Sequence, residues 1–535
     1  MQFSEEKLVE GINGANAENE RKEIASLAKE KVTFMACSQG AIASIGGLIF
    51  GYVSGQISGF FLMDDFARRF GEPQPDGAHI FSAARQGTIV GMLSVGAAVG
   101  SLIAGKLADK IGRRKSISAA ALFACIGTTI EISSSNQWIQ FAMGRFVSGA
   151  SIGALSVVVP MYQSESAPTV IRAVIVSSYQ LFVTLGIWMA EMVNWGTQGQ
   201  ESSASWRTTN GLSFAWAVLL GTLILSMPES PRYDCNRGQV ERARETIAKL
   251  SGLSVDSQLV TREIADIQAN LHQESQSSAE FSFSEILTAP RILYRTVLGI
   301  ALQAGQQLTG ANFFFYFGTA VFAAAGVKNS YTTMIILGSV NMAGTLISLW
   351  VTKRFGRRSV LMIGAALMTI CYFVFSFVGQ FALDHSNPTN TPAAGSVLVA
   401  FSCFAIGAFA VSWGPLVWAV NSELYPLRYR SVCMGLATAS NWLWNFLISF
   451  FTRFITDKIG YLYGLVFAGC CSALVLIVFF FVIESKDRSL EEIDAMYVHK
   501  VNPIQSGHST GHWNWDEYRQ GIGKRNAARA EAQTR

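Results

Sequence analysis

Gln303, Gln306 and Gln307 stand at i, i+3 and i+4 of one apolar run, so a helix there carries three amides on one face. Gly310 follows and weakens that helix, and Asn312 comes two residues later. Asn441 and Asn445 share a face of another run at i and i+4, Asn341 stands in a third, and Gln180 in the first part of a fourth. An amide both donates and accepts hydrogen bonds, and it avoids the desolvation cost of a charge. Several of them in apolar surroundings suit a neutral ligand covered with hydroxyls. Trp418, after the helix-breaking pair Gly414-Pro415, offers a wall for an apolar face of that ligand. The plainer role for any one of these amides is to bond helix to helix. For a lone amide the two roles compete evenly; for Gln306, Gln307 and Asn312 together the binding role wins.

A second set of residues is charged, and it repeats. Gly112-Arg113-Arg114 returns as Gly356-Arg357-Arg358. Glu165 precedes Arg172 by seven positions, and Glu423 precedes Arg430 by seven. Glu229 and Glu484 each follow the last apolar run of a group. The expectation is one network of Asp109, Arg113, Glu165, Arg172, Glu229 and Arg232, with a counterpart made of Arg357, Arg358, Glu423, Arg430 and Glu484. Such pairs at a helix–water boundary are partly desolvated, so they can exceed exposed pairs in strength. If they form only when one side of the molecule is shut, they bias a two-state machine. Their plainer role is to mark topology. The second half lacks an acid before Gly356, where Lys353 and Arg354 stand instead, so the two networks are not equivalent.

The elements that must position these groups follow from composition. Half of the 535 residues are hydrophobic and 15% are charged, against about 25% charged in a soluble protein; mean hydropathy is +0.31. Apolar runs fall near 38–61, 86–106, 115–134, 138–160, 173–193, 208–227, 293–320, 331–352, 358–381, 393–420, 430–452 and 460–483. Each is close to the roughly 20 residues that cross a bilayer. The chain reads as twelve spans in two groups of six. Lys106, Lys110, Arg113, Arg114 and Lys115 lie between spans two and three, and Arg172 between four and five. Lys353, Arg354, Arg357 and Arg358 lie between eight and nine, and Arg428 and Arg430 between ten and eleven. The positive-inside rule makes that side cytoplasmic, with both termini there.

The division expected is a tail, 1–37; a six-helix bundle, 38–228; a cytoplasmic helical linker, 229–292; a second bundle, 293–484; and a tail, 485–535. Inside the linker, Val240, Ala243, Ile247 and Leu250, then Val260, Ile264, Ile267 and Leu271, recur at helical spacing. Ser489-Leu490-Glu491-Glu492 reads as a capping box. Eight cysteines without a CxxC pair, and six histidines away from them, give no metal site and no disulfide framework. Two six-span halves bearing the same charge marks are the layout of an alternating-access transporter.

The pieces Gly46 to Tyr52 (GGLIFGY), Gly105 to Arg114 (GKLADKIGRR), Pro160 to Arg172 (PMYQSESAPTVIR), Pro228 to Arg232 (PESPR) and Gln306 to Asn312 (QQLTGAN) come in this order. Together they resemble the sugar porter family of the major facilitator superfamily, with the loop texture of fungal hexose transporters. The resemblance spans Gly46 to Glu492. It implies an all-α membrane protein of twelve transmembrane helices in two bundles, carrying a monosaccharide, a hexose such as glucose, by alternating access. It implies no cofactor, no enzymatic step and no nucleic acid. It implies a monomer in the lipid bilayer of the plasma membrane. It places the sugar among Gln180, Gln306, Gln307, Asn312, Asn341, Trp418 and Asn441, leaving Gln303 and Asn445 as supports or helix glue.

The chain departs from the family at Ala173, where a Gly is common, and at Ile483 to Asp487 (IESKD), which keeps Glu484 but not the usual Pro-Glu-Thr-Lys-Gly. The departure with most consequence is Val53. Proton-coupled members carry an Asp after this Gly-Tyr pair, facing an Arg that is present here as Arg145. Without that acid the expectation is facilitated diffusion, with proton symport as the alternative. Glu131 and Glu191 are the substitute acids, expected near span ends where water reaches them. A sugar sensor on the same scaffold is the rival of another class. It needs a long signalling tail, and about 50 residues follow span twelve.

Overall fold

The computed structural model describes residues 32–506 apart from 76, 169–170, 280–283, 290, 487, 489 and 505. Most of both expected tails, and Ser489 of the capping box, lie outside the described residues. In the first bundle the spans are Phe34–Phe60, Ala83–Ile111, Arg113–Ser133, Trp138–Ser166, Arg172–Thr197 and Ala204–Ser226. In the second they are Ile292–Leu308 with Ala311–Ala324, Ser330–Arg354, Arg357–Phe377, Pro392–Val411 with Trp413–Glu423, Leu427–Ile459, and Tyr463–Phe481.

Ten of these stretches qualify as membrane-crossing by length and apolarity alone. The other two crossings are hidden for different reasons. Spans eleven and twelve read as one stretch, Val432–Phe481, which Gly460 interrupts at φ +55°. Span seven is broken at Thr309-Gly310 into pieces of 17 and 14 residues.

Caps fix several starts. Thr33 accepts the Ala36 amide, Ser82 that of Arg85, and Asn329 that of Thr332. Small residues set how closely spans approach. Gly96 and Gly100 of span two lie against the backbone of Phe146 and Ala150 in span four. Gly149 and Gly153 of span four face the backbone of Leu93 and Ala97 in return. A methyl group at any of the four would collide with main chain, so these spans meet backbone to backbone. Spans one and five pack in the same manner at Gly51 and Gly186. Large apolar side chains such as Leu102, Ile103, Leu122, Phe123, Ile363 and Phe404 stay exposed, as a lipid-covered surface requires.

The linker forms the two expected helices, Val240–Ser251 and Gln258–Ala279. They pack on each other: Cys235, Ala243, Ile247, Val260 and Ile264 make a small core of their own. Thr33 Oγ1 donates to Leu250 O at 2.6 Å, and Tyr429 Oη to Glu285 Oε2 at 3.3 Å, so each bundle holds the linker. A last helix, Leu490–Val498, closes on span seven. Arg295, with no exposed surface, donates to Asp494 Oδ1 at 2.6 Å and Asp494 O at 3.0 Å.

Between described residues of the two bundles, hydrogen bonds run from mid-span toward the face opposite the basic loops. Ser94 meets Asn445, Trp188 meets Ser339, Ser58 meets Thr319, and Tyr331 meets Gly59.

Candidate functional site

The break in span seven positions the amides. Gly310 sits at φ +81°, a conformation that costs a side chain about 1–2 kcal/mol, and it is pressed against Phe467 and Tyr372, where a Cβ would collide. Gln306 and Gln307 therefore end one helix while Asn312 begins the next. Asn312 Nδ2 donates to Gln307 Oε1 at 2.6 Å. Gln307 Nε2 donates to Asn441 Oδ1 at 3.0 Å. Asn441 Nδ2 donates to Gln306 Oε1 and to Gln303 Oε1, both at 2.8 Å. Gln306 Nε2 donates to Trp413 O at 3.0 Å and Gly414 O at 2.9 Å, which ties span seven to the break in span ten.

That second break comes earlier than the Gly414-Pro415 pair foretold. The backbone turns at Ser412, and Pro415 sits inside the first turn of Trp413–Glu423, where its missing N–H costs nothing.

Gln303 has no exposed surface and supports Asn441 from behind. Asn445 has a larger part than helix glue. Its Nδ2 donates to Gln307 Oε1 at 3.1 Å, and its Oδ1 accepts from Ser94 Oγ of the other bundle at 2.5 Å and from Tyr316 Oη at 3.3 Å. The remaining three expected residues do not join this cluster. Asn341 is buried in span eight, and its side chain has no hydrogen bond among the described residues. Gln180 is half-buried in span five and is likewise free. Trp418 is 36% exposed and lies outside the cluster. Trp413 was missed by sequence reasoning: it is fully buried, with its indole N–H on Leu361 O at 2.9 Å.

The first bundle holds a polar cluster of another kind. Arg145 has no exposed surface and donates to Val53 O at 2.8 Å, so a main-chain carbonyl stands where a carboxylate was sought. Glu131 accepts from Ser148 Oγ at 2.7 Å and Asn210 Nδ2 at 3.0 Å, and it supplies the negative charge that acts on Arg145. Asn210 in turn accepts from Gln56 Nε2 at 3.1 Å. Glu131 and Glu191 stand near the ends of their spans, as expected, but water does not reach them: they are 1% and 3% exposed. Span three ends two residues past Glu131 and span five six past Glu191, and it is the neighbouring helices that cover both. Gln56 and Asn210 carried a usable signal, being amides within apolar runs.

At the basic face the charges cluster within each bundle. Arg113 Nε and Nη2 fork onto Glu165 at 2.9 and 3.0 Å, with Asp109 at 3.0 Å and Arg232 4.0 Å from Glu165. Glu229 caps the amides of Arg113 and Arg114 at 3.0 and 3.2 Å. In the second bundle Arg357 meets Glu423 at 3.5 Å, and Glu484 caps the amides of Arg357 and Arg358 at 2.8 and 3.3 Å. Arg358 donates to Phe479 O at 2.8 Å and stacks on that ring. Two arginines depart from expectation. Arg172 pairs with Glu263 of the linker at 3.5 Å, and Arg430 donates to Tyr425 O at 3.4 Å. Both reach elements already beside them before they reach Glu165 or Glu423.

A profile of the family described as "Sugar (and other) transporter" matches residues 40–497. The low-affinity glucose transporter HXT1 of Saccharomyces cerevisiae is 42% identical over 478 residues, covering 89% of this chain and 83% of its own. The galactose transporter of the same yeast is 41% identical, covering 86% of this chain and 81% of its own. Hexose transporter 2 of Kluyveromyces lactis is 41% identical, covering 87% and 83%. Among solved structures, the E. coli xylose transporter XylE in a partially occluded inward-open conformation superposes with a TM-score of 0.71 at 24% identity. It covers 85% of this chain and all of its own, which shows the same fold.

Proposed function

The chain belongs to the sugar transporter family, and from that premise we propose that it carries a hexose, glucose among the first to test, across the plasma membrane. The observation that carries this reading is the uncharged cluster at the break of span seven. Gln306, Gln307, Asn312 and Asn441 bond one another there. Hydroxyls of a sugar can take over those bonds one for one, which leaves no buried group unmet. Asn341, Gln180 and Trp418 complete the site from spans eight, five and ten, closing on the sugar from their present free positions.

The basic face looks into the cytoplasm, and both termini lie there. With the bundles joined from mid-span outward, the molecule stands open to the inside. The Arg–Glu clusters are already made within each bundle, so the gate acts through contacts between clusters and through the linker. One copy suffices, since the proposed site lies within one chain. Nothing in this cycle makes or breaks a covalent bond.

Movement is downhill, because Val53 offers Arg145 no titrating partner in span one. The second reading, proton symport, is favoured by one observation: the buried Glu131 acts on Arg145 from span three instead. Liposomes holding the purified protein decide both points. Labelled glucose should equilibrate faster than in empty vesicles and be blocked by competing hexoses. An inward proton gradient should leave the final level at the external concentration. Accumulation abolished by a protonophore would transfer the coupling role to Glu131; no sugar flux at all would sink the transport reading.

A further inference from the structure

Glu191 lies in span five, six residues before its end at Thr197, and neither of its buried carboxyl oxygens has a hydrogen-bond partner among the described residues. It presses on Gly338 of span eight, where even a methyl group would run into its Oε2. One turn to one side, Trp188 Nε1 donates to Ser339 Oγ at 2.9 Å. On the other side, Asn194 Nδ2 donates to Gln56 O at 2.9 Å, beside Gly59, whose carbonyl accepts Tyr331 Oη at 2.8 Å. Glu191 is thus inside the seam that joins the two bundles on the outer side.

Charged and titratable groups of the helices packed around it are engaged elsewhere. Tyr52 of span one donates to Thr209 O. Arg145 of span four donates to Val53 O and feels the charge of Glu131, and it makes no bond to Glu191. Arg207 of span six donates to Ser134 O and lies over Trp206. Span eight has no acid or base from Ser330 to Thr352; its Tyr331 is spent on Gly59, with Asp64 beyond it.

We propose that Glu191 is a proton-binding site of the outer gate, which closes around the uncharged acid and opens when the carboxylate meets water. A carboxylate ion sealed in a dry seam with neither cation nor donor is strongly disfavoured. Once spans five and eight part, the group is hydrated and ionises like any exposed carboxylate above about pH 4.3. Closing takes up one proton from outside and reopening returns it to the same side, so no net proton crosses. The site tunes the alternating-access cycle proposed above and rests on that reading. The open state binds one proton fewer, so acid outside favours the closed gate. The open-to-closed ratio changes by at most about tenfold per pH unit for one proton.

The test is read without sugar, so a failure of the transport reading leaves it intact. A membrane-impermeant maleimide is applied from outside to full-length protein carrying Ser339→Cys, on the face of span eight that meets Trp188 of span five. Labelling is compared with and without Glu191→Gln, and the ratio of the two rates cancels the thiol's own pH dependence. At pH 7.5 the protein with Glu191 should label faster than the Gln variant. The ratio should fall toward one by pH 5. A ratio that ignores pH, or faster labelling of the Gln variant, overturns the proposal. Should either variant fail to fold, hydrogen exchange of the span five and span eight seam in the unaltered protein decides. Protection that rises on acidification supports the site; protection that stays constant overturns it.

Discussion

Gln306→Ala and Asn341→Ala should separate what holds the sugar site together from what it holds. The Gln306 side chain makes three hydrogen bonds: two to the carbonyls of Trp413 and Gly414, and one from Asn441. Truncation leaves the span-ten break without its tie. Asn441 keeps Gln303, so its loss is partial. A buried partner left unmet costs about 1–3 kcal/mol. In a unit the size of one bundle each kcal/mol lowers the melting midpoint by about 2–4 °C. Asn341 has no side-chain bond to lose, so its truncation should spare the midpoint. Each residue also gives up a bond to the sugar, and about 1.4 kcal/mol is tenfold in affinity. Gln306→Ala should therefore lower both the midpoint and the affinity, and Asn341→Ala the affinity alone. Thermal unfolding of detergent-purified protein, with and without glucose, measures the first quantity, and equilibrium binding of labelled glucose the second. Unchanged affinity in both variants would refute the site. An unchanged midpoint for Gln306→Ala would refute the tie.

Ser94→Ala removes the hydroxyl that joins Asn445 across the two bundles, so labelling of thiols in the outer cavity should rise severalfold; unaltered labelling would show that the seam is held elsewhere. Glu423→Ala frees Arg357 and Ser485, which it holds within one bundle, so it should lower the midpoint and leave labelling of the inner cavity unchanged; raised labelling would show that the cluster bears on the gate directly. Asp65→Asn should lower the midpoint near neutral pH. Burial works to raise the Asp65 carboxyl, but hydrogen bonds from Arg69 and Trp206 and the charges of Arg69 and Arg68 outweigh it, leaving it below the usual range. Its contribution is present above the unfolded value near pH 3.9 and fades as the pH falls through the lower folded value. The two proteins should converge in strong acid, and a constant gap would assign the loss to packing instead.

What could be read in the sequence was what periodicity and charge alone can carry. Spans are long enough, and their loops basic enough, that the two bundles and the linker helices stand out within a few residues of their ends. Gln306, Gln307 and Asn312 were legible because Gly310 advertises the break between them. Legibility failed where the answer depends on which helix stands opposite. Arg172 pairs with Glu263, ninety-one positions away in the chain, and no local pattern distinguishes that partner from Glu165. Glu131 and Glu191 look peripheral along their own spans, and only the neighbours that cover them make them buried. The sequence pattern put the span-ten break at Gly414-Pro415, but a proline fits comfortably in the first turn of a helix, so the turn fell on Ser412.

The buried pair in the first bundle bears on how the chain is made. A charge carried into lipid on a lone span costs most at the helix centre, about 2.5–3.5 kcal/mol, and less toward the ends, where Glu131 and Arg145 lie. Span three brings Glu131 and span four brings Arg145, and four residues separate the two helices. Threaded as a hairpin, they can enter with the opposite charges near each other and Ser148 already on Glu131. Gln56 is in place from the first span, but Asn210 arrives with the sixth, so until then Glu131 has Ser148 without its amide partner. A ribosome stalled between spans four and six would expose an incomplete polar cluster to the membrane. The same residues that stabilise the finished bundle would mark its unfinished form for removal.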